Sequence, residues 1–272
     1  MPPSFTFEGT MTVIGGGRMG EAIVSGLLSA GSVALGRVTI AEPSAARRDE
    51  LKSAYGVRCV ADASEALPAD VALVAVKPQI ADAVIGDLSE ALGSAIVVSI
   101  VAGFTCARLE SLLPDGTSVV RVMPNTPAMV GEGMAVVSGG AEASAEDVVL
   151  VESLFAQIGR AVVVAEQYQN AATAISGSGP AYFALVIDSL ARAGVRQGLP
   201  RDVAQALAIQ TMLGTARLLE ETGVHPGVLI DNVSSPGGTT IAAIEALEAY
   251  GLRAAFAEAV AANVERSQEL GS

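Results

Sequence analysis

Positive charge is scarce in this chain, where 16 Lys and Arg face 29 Asp and Glu for a net charge of −13. That balance repels phosphate backbones and anionic lipid surfaces, so no nucleic-acid partner is expected, although a local basic patch can still hold an anion. Cysteine is scarcer still. Cys59 and Cys106 lack metal-ligand spacing and are too few for a disulfide framework, so they read as reduced thiols of a cytoplasmic protein and no metal site is expected. Long apolar runs are also missing. The longest uncharged stretch, 167–187, contains Gln167, Gln169, Asn170, Ser176, Gly177 and Pro180 and does not read as one spanning helix, so no membrane partner is expected. The first ten residues, MPPSFTFEGT, have neither a basic nor an apolar region of the signal-peptide kind and read as a loose tail.

What the chain does have is apolar surface. Hydrophobic residues make up 51% and charged residues 17%, which describes a globular chain, and 272 residues favour two domains over one core. A mean hydropathy of +0.49 without a membrane span points to helix faces buried between subunits. Short continuous β-type runs recur at 11–14, 38–40, 57–60, 71–76, 96–100, 119–123, 134–137 and 162–164, as in a parallel sheet covered by helices on both faces. After about residue 167 the β-branched runs give way to Ala/Leu-rich segments. Helices are predicted over 21–30, 179–193, 201–221, 239–250 and 252–269. The fold class is therefore α/β, a Rossmann-type doubly wound sheet over 1–167 followed by an all-α domain over 168–272.

Gly15-x-Gly17-x-x-Gly20, with Arg18 and Met19 inside it, joins a strand to a helix. In a dinucleotide site these glycines serve a tight turn, close pyrophosphate approach and close helix packing. A plain glycine-rich turn is the competing reading. After the second strand, Glu42 suits a free ribose 2′-OH and NAD, whereas Ser44, Arg47 and Arg48 suit a 2′-phosphate and NADP. Lys77, one of two lysines, follows Ala75 and Val76 and precedes Pro78 at a strand's carboxyl end, where open α/β sheets bind ligands. Ile100, Val101 and Ala102 follow the next strand. Asn125, between Pro124 and Pro127, offers an amide held rigidly, or simply makes a turn. Ser176 opens Ser-Gly-Ser-Gly-Pro, and Ser234-Ser235-Pro236-Gly237-Gly238-Thr239-Thr240 precedes another helix. Each makes a helix N-terminus suited to an anion, with N-capping as the plainer alternative. His225, the only histidine, reads as part of a turn.

Taken together, Gly15–Gly20, Ala75-Val76-Lys77-Pro78, Met123-Pro124-Asn125-Thr126-Pro127, Ser176–Tyr182 and Asp231–Thr240 resemble pyrroline-5-carboxylate reductase, over about 11–270. The resemblance implies a Rossmann-type domain, a helical domain that interlocks in a homodimer, and in some members a ring of dimers. It also implies NAD(P)H-dependent reduction of 1-pyrroline-5-carboxylate to L-proline, the last step of proline biosynthesis. By position, Thr240 matches the catalytic hydroxyl that hydrogen-bonds the ring nitrogen, and Gly237, Gly238, Thr239 and Thr240 match the loop that holds the carboxylate. Asn125, Ser176 and Ser235 complete the expected substrate contacts. The expected cofactor contacts are the glycine loop, Glu42, Ser44, Arg47, Arg48, Ala75 to Pro78 and Ile100 to Ala102, with NADP favoured and NAD the alternative. Two positions depart from the family: Ala63 stands where many members have Asn, and Glu42 where NADPH-preferring members commonly have a small polar residue. Hydroxyisobutyrate-type dehydrogenases, a rival of similar build, use a lysine in the helical domain, where this chain has none. A non-catalytic dinucleotide sensor keeps the glycine loop but has no need of Ser234 to Thr240.

Overall fold

Strands β1 (Met11–Ile14) and β4 (Val71–Val74) are buried at every residue, the pattern of strands covered on both faces. In the computed structural model, which describes residues 5–271, they sit at the centre of an eight-stranded sheet. The chain runs through β1, α1 (Arg18–Ser29), β2 (Val38–Ala41), α2 (Ala45–Tyr55), β3 (Arg58–Val60) and β4. It continues through α3 (Pro78–Asp87), α4 (Ser89–Leu92), β5 (Ile96–Ser99), α5 (Cys106–Glu110) and β6 (Val119–Met123). Then come β7 (Gly133–Gly139), α6 (Ala145–Ala156) and β8 (Gly159–Val163). The spatial order is β3-β2-β1-β4-β5-β6-β7-β8, so the order of travel reverses between β1 and β4.

One pair departs from the expected parallel sheet: β6 and β7 are antiparallel. The nine residues 124–132 that join them hold one tight helical turn over Thr126–Val130, too short for the crossover that a parallel partner needs. Two apolar clusters cover the sheet. One packs Ile23, Val24 and Leu27 of α1 with Leu154 and Phe155 of α6, and the other packs Ile85, Leu92 and Leu109 from α3, α4 and α5.

The segment read as a loose tail is tied down where it is described. Phe7 is 7% exposed and bridges to Val33, and Asp70 accepts hydrogen bonds from the Thr10 amide and hydroxyl at 2.7 and 2.8 Å. The two bonds hold the Asp70 carboxyl below the ordinary range. A single buried aromatic ring is enough to anchor so short a segment, and charge and hydropathy patterns over ten residues do not register it. Residues 1–4 of that stretch lie outside the described residues.

The helical part comprises α7 (Gln169–Ser176), α8 (Gly179–Arg196), α9 (Arg201–Thr222), α10 (Pro226–Val233), α11 (Thr239–Ala249) and α12 (Leu252–Gly271). Helices α7 and α10 are absent from the expected set; each is only about two turns long. His225 starts α10, its Nδ1 accepting from the Gly227 amide at 3.0 Å, which is the turn role expected of it. Contacts divide the chain into one unit of residues up to 178 plus those from 263 onward, and a second of 179–262. Within the second unit, Gly194 of α8 lies so close to Ala204 of α9 that an added Cβ would sit 3.1 Å from the Ala204 methyl.

Beneath the carboxyl-terminal half of the sheet lies a buried polar bracket. Arg121 on β6 is 4% exposed. It donates to Glu166 at 3.1 Å and to the Asn170 amide oxygen at 3.3 Å. Glu166 also accepts from the Cys106 amide at 2.6 Å. Burial, with the Glu166 carboxylate beside it, pushes the Cys106 thiol up to about 12, so the sulfur stays protonated. Gln169, fully buried, donates to the Val136 carbonyl and the Ser138 hydroxyl, which itself donates to the Val164 carbonyl. The bracket fixes the segment entering α7 to β6 and β7. Arg121→Met leaves Glu166 without its cation. Because Glu166 keeps some water contact, the expected cost is about 2 to 3 kcal/mol, read from the urea midpoint; a loss under about 0.5 kcal/mol removes the bracket as a stabilising feature.

Candidate functional site

In an open α/β sheet the crevice for a ligand lies at the carboxyl ends of the strands where the order of travel reverses, here between the loops after β1 and β4. Gly15 has a φ of +110°, and a Cβ there would lie 2.6 Å from the Ala75 carbonyl oxygen, so only glycine lets the two loops touch. A Cβ on Gly20 would lie 2.4 Å from the Gly15 carbonyl oxygen, which is the close packing of helix on loop expected of the third glycine. Gly17 differs from both. It is exposed, and nothing lies within 4 Å of where its Cβ would be, leaving the backbone open to a ligand. Gly17 caps α1, which starts at Arg18 rather than at Glu21, and no side chain caps the free amides of that first turn. Anions favour such a helix start. Arg18 is exposed beside it, and Met19 packs against the core.

At the end of β2, Glu42 accepts from the Gly16 amide at 3.1 Å with one oxygen and from the Ser44 amide at 2.9 Å with the other. Ser44 caps α2, its hydroxyl accepting from the Arg47 amide. The two arginines differ in their partners. Arg47 donates to the Gly16 carbonyl at 2.8 Å and is paired with Glu21 and Glu50. Arg48 donates to the Glu42 and Pro43 carbonyls at 2.8 and 2.7 Å. Glu21, which also accepts from the Tyr55 hydroxyl, is raised by its burial but lowered more by Arg47 and Tyr55, and it ends below the ordinary carboxyl range.

The loops after β4 and β5 bear the other expected cofactor residues. Ala75 donates to the Ile14 carbonyl at 2.8 Å, and Lys77, exposed, precedes Pro78 at the first position of α3. Val76 packs against the core, and Ile100 donates to the Val74 carbonyl at 3.1 Å. Val101 is 2% exposed and Ala102 exposed, so of this pair only Ala102 presents its side chain outward.

Asn125 is 8% exposed, with both ends of its amide engaged. It donates to the Ser176 carbonyl at 2.9 Å and accepts from the Met134 amide at 2.8 Å. The Ser176 hydroxyl donates to the Ala172 carbonyl. These bonds make Asn125 a brace between the loop after β6 and the end of α7. In the second unit, Gly238 starts α11 with no side-chain cap, after Gly237 at a φ of +65°. A Cβ on Gly238 would lie 2.3 Å from the Ser235 hydroxyl oxygen, so this turn accepts no larger residue unaltered. Ser235 and Thr239 are exposed and Thr240 half-buried, together forming an uncapped helix start with hydroxyls around it. The expected residues thus form three sets, one around the β1/β4 crevice, one of Asn125 with Ser176, and one at the start of α11.

Sequence reasoning missed Glu21, Tyr55 and the bracket of Arg121, Glu166 and Asn170. Glu21 and Arg47 are 26 residues apart and no local pattern links them. The return of the chain at Asn263, whose amide donates to the Ser178 hydroxyl at 2.7 Å, is likewise without a local signal.

The glycine geometry separates two variants. Gly20→Ala forces the helix off the loop and should cost about 1 to 3 kcal/mol in urea unfolding, whereas Gly17→Ala, a change at a helix N-cap with open space around it, should cost under about 1 kcal/mol. Equal losses would show that the loop yields freely at both positions.

Residues 166–270 match the family described as pyrroline-5-carboxylate reductase dimerisation, and residues 10–103 match the family described as NADP oxidoreductase, coenzyme F420-dependent. The pyrroline-5-carboxylate reductase of Synechocystis is 45% identical over 95% of this chain and 97% of its own length. That of Escherichia coli is 40% identical over 94% and 96%. Among solved structures, a pyrroline-5-carboxylate reductase from Coxiella burnetii superposes with a TM-score of 0.92 at 35% identity, covering 98% of this chain and all of the other. The Plasmodium falciparum pyrroline carboxylate reductase with NADP bound gives 0.89 at 31%, with the same coverage. Likeness at this level spans the glycine crevice and the start of α11 alike, and the chain belongs to the pyrroline-5-carboxylate reductase family.

Proposed function

We propose that this chain is an NAD(P)H-dependent pyrroline-5-carboxylate reductase, which reduces the C=N bond of 1-pyrroline-5-carboxylate to L-proline as the last step of proline biosynthesis. The observation that carries the reading is the open backbone at Gly17 over the β1/β4 crevice, in a chain 40 to 45% identical, nearly end to end, to relatives bearing that name. When bound, the reduced nicotinamide supplies the hydride for the imine carbon. NADP is the favoured cofactor, supported by the NADP-bound relative and the NADP oxidoreductase match, with NAD the alternative.

The chain's own residues have distinct tasks in this reading. Gly15, Gly17 and the first amides of α1 hold the pyrophosphate, while Glu42, Ser44, Arg47 and Arg48 meet the adenine ribose. Ala75 to Pro78 and Ile100 to Ala102 face the nicotinamide side, and Val101 contributes there through its backbone, since its side chain is buried. The amides of Gly237 to Thr240 hold the substrate carboxylate at a helix start that no side chain caps. Thr240 hydrogen-bonds the ring nitrogen. A protonated imine brings its own positive charge, so no strong protein acid is needed, and positioning together with fixed dipoles carries most of the rate. Asn125 and Ser176, held by the bonds they make to the Ser176 and Ala172 carbonyls, are further substrate contacts in this reading.

We also read the protein as a cytoplasmic homodimer, or a ring of such dimers. The support lies in the dimerisation family match and in the second unit itself, where large apolar side chains point outward. Phe183, Leu185, Leu207 and Leu247 are each more than half exposed, and Tyr250 is 93% exposed. Neither hydrophobic cluster takes a residue from 179–262. Helices that bury so little of their apolar surface need a further partner, and a second copy supplies a self-complementary one. Sedimentation velocity at micromolar concentration should show a dimer or larger; a monomer would overturn this part of the reading.

Activity is checked by following NADPH and, separately, NADH oxidation with 1-pyrroline-5-carboxylate, with proline identified chromatographically. Thr240→Ala should lower kcat/KM by the equivalent of about 1 to 3 kcal/mol, the loss of one good hydrogen bond in a dry site. A change below about threefold removes Thr240 from the mechanism. Dinucleotide binding without turnover would instead indicate a sensor.

A further inference from the structure

Ser99, Arg121 and Ser138 stand in register across β5, β6 and β7, Ser99 opposite Arg121 and Arg121 opposite Ser138. All three are buried, in strands that are otherwise mostly apolar. A buried ion pair such as Arg121 with Glu166 is often no more stable than an apolar set of the same volume, so the stability of the sheet alone does not call for one.

What the row holds is the loop of residues 100–105 that follows β5. At its start the Ser99 hydroxyl accepts from the Val101 amide at 3.2 Å, and within it the Phe104 amide donates to the Val101 carbonyl at 3.3 Å. At its end Thr105 caps α5, and the first amide of that helix, that of Cys106, has no acceptor inside the helix. Glu166, 60 residues further along the chain, takes it at 2.6 Å. The same oxygen of Glu166, Oε1, accepts from Arg121. One carboxylate oxygen with a backbone amide and a guanidinium on it fixes the start of α5 against β6. Arg121 also donates to Asn170 of α7, and α7 runs on to Ser176, whose carbonyl Asn125 holds. One buried arginine thus joins the loop after β5 to the helix that ends at Ser176.

We propose that Glu166 is a positioning residue for hydride transfer, setting residues 100–105 on the nicotinamide side of the crevice through the Cys106 amide and tying them to α7 through Arg121. The inference rests on the reductase reading, which places Ile100 to Ala102 beside the nicotinamide and Ser176 beside the substrate. Glu166 acts through the backbone that it holds, so what matters is where its Oε1 lies, and the reach of the side chain counts for more than its charge.

The test compares Glu166→Asp, which keeps the charge beside Arg121 but is one methylene shorter, with Glu166→Gln, which keeps the reach and a carbonyl oxygen without the charge. In the full-length protein without cofactor, amide hydrogen exchange over 100–107 should speed up at least about tenfold in Glu166→Asp and stay within about threefold of wild type in Glu166→Gln. With NADPH and 1-pyrroline-5-carboxylate, kcat should fall at least about tenfold in Glu166→Asp and less than about threefold in Glu166→Gln. The dissociation constant of adenosine 2′,5′-bisphosphate, which reports the adenosine end alone, should stay within about threefold in both. Exchange and kcat both unchanged in Glu166→Asp overturn the proposal, since the loop then holds itself. A fall in kcat for Glu166→Gln as large as that for Glu166→Asp overturns it too, since Glu166 then acts through its charge. A wild type that turns over with neither NADPH nor NADH overturns the reductase reading and the proposal with it, and the exchange result still tells whether Glu166 holds the loop.

Discussion

Two strand ends that must touch control the first unit. The loops after β1 and β4 approach until the Gly15 backbone meets the Ala75 carbonyl, and α1 is drawn down until Gly20 meets the Gly15 carbonyl. Neither approach tolerates a Cβ at its natural distance. With this tight pair of contacts on either side of it, Gly17 is exposed, with open space where its Cβ would be. An open backbone at a helix start is a place for an anion only if the neighbouring backbone is held still, and the packed α1, with Ile23, Val24 and Leu27 nearly fully buried, holds it.

Around that fixed centre the polar groups are arranged by what they can reach. Glu42, Arg47 and Glu21 bind the glycine loop to α2 and α1, so side-chain bonds hold the side of the crevice next to β2. At the other side of the sheet, Arg121, Glu166 and Gln169 tie β6 and β7 to the chain entering α7. Asn125 then braces the end of that helix. Buried polar networks of this kind are costly when incomplete, which makes them effective at holding one geometry in preference to others.

The second unit follows a different logic. Its helices pack closely through small residues, as Gly194 and Ala204 do, and turn much larger side chains outward. An apolar excess that neither membrane nor core accounts for is consistent with a surface completed by another copy of the chain.

Much of this was legible in the residues. Continuous β-branched runs marked the strands, since strands buried on both faces need no polar positions. The spacing of Gly15, Gly17 and Gly20 marked the crevice, because Gly15 and Gly20 answer local steric demands while Gly17 leaves its backbone open. The motifs at 123–127, 176–182 and 231–240 identified the family, and the relatives bear it out. Local signals did not extend to the antiparallel turn of β7, the anchoring of Phe7, or helices of only two turns, where too few residues repeat to show a period. They also left the partners of the charged residues open. Glu42, Arg47 and Arg48 read as competing ligands for one ribose, yet the fold pairs Arg47 with two carboxylates, sets Arg48 against two carbonyls and leaves Glu42 bridging two amides. The sequence by itself determined the fold class and the glycine crevice, because these depend on steric and hydrophobic patterns along the chain, and its motifs carried the resemblance to the family. Only the tertiary structure decided which charges stand ready for a ligand, because a charge acts through its neighbours in space, and those come from segments dozens of residues apart.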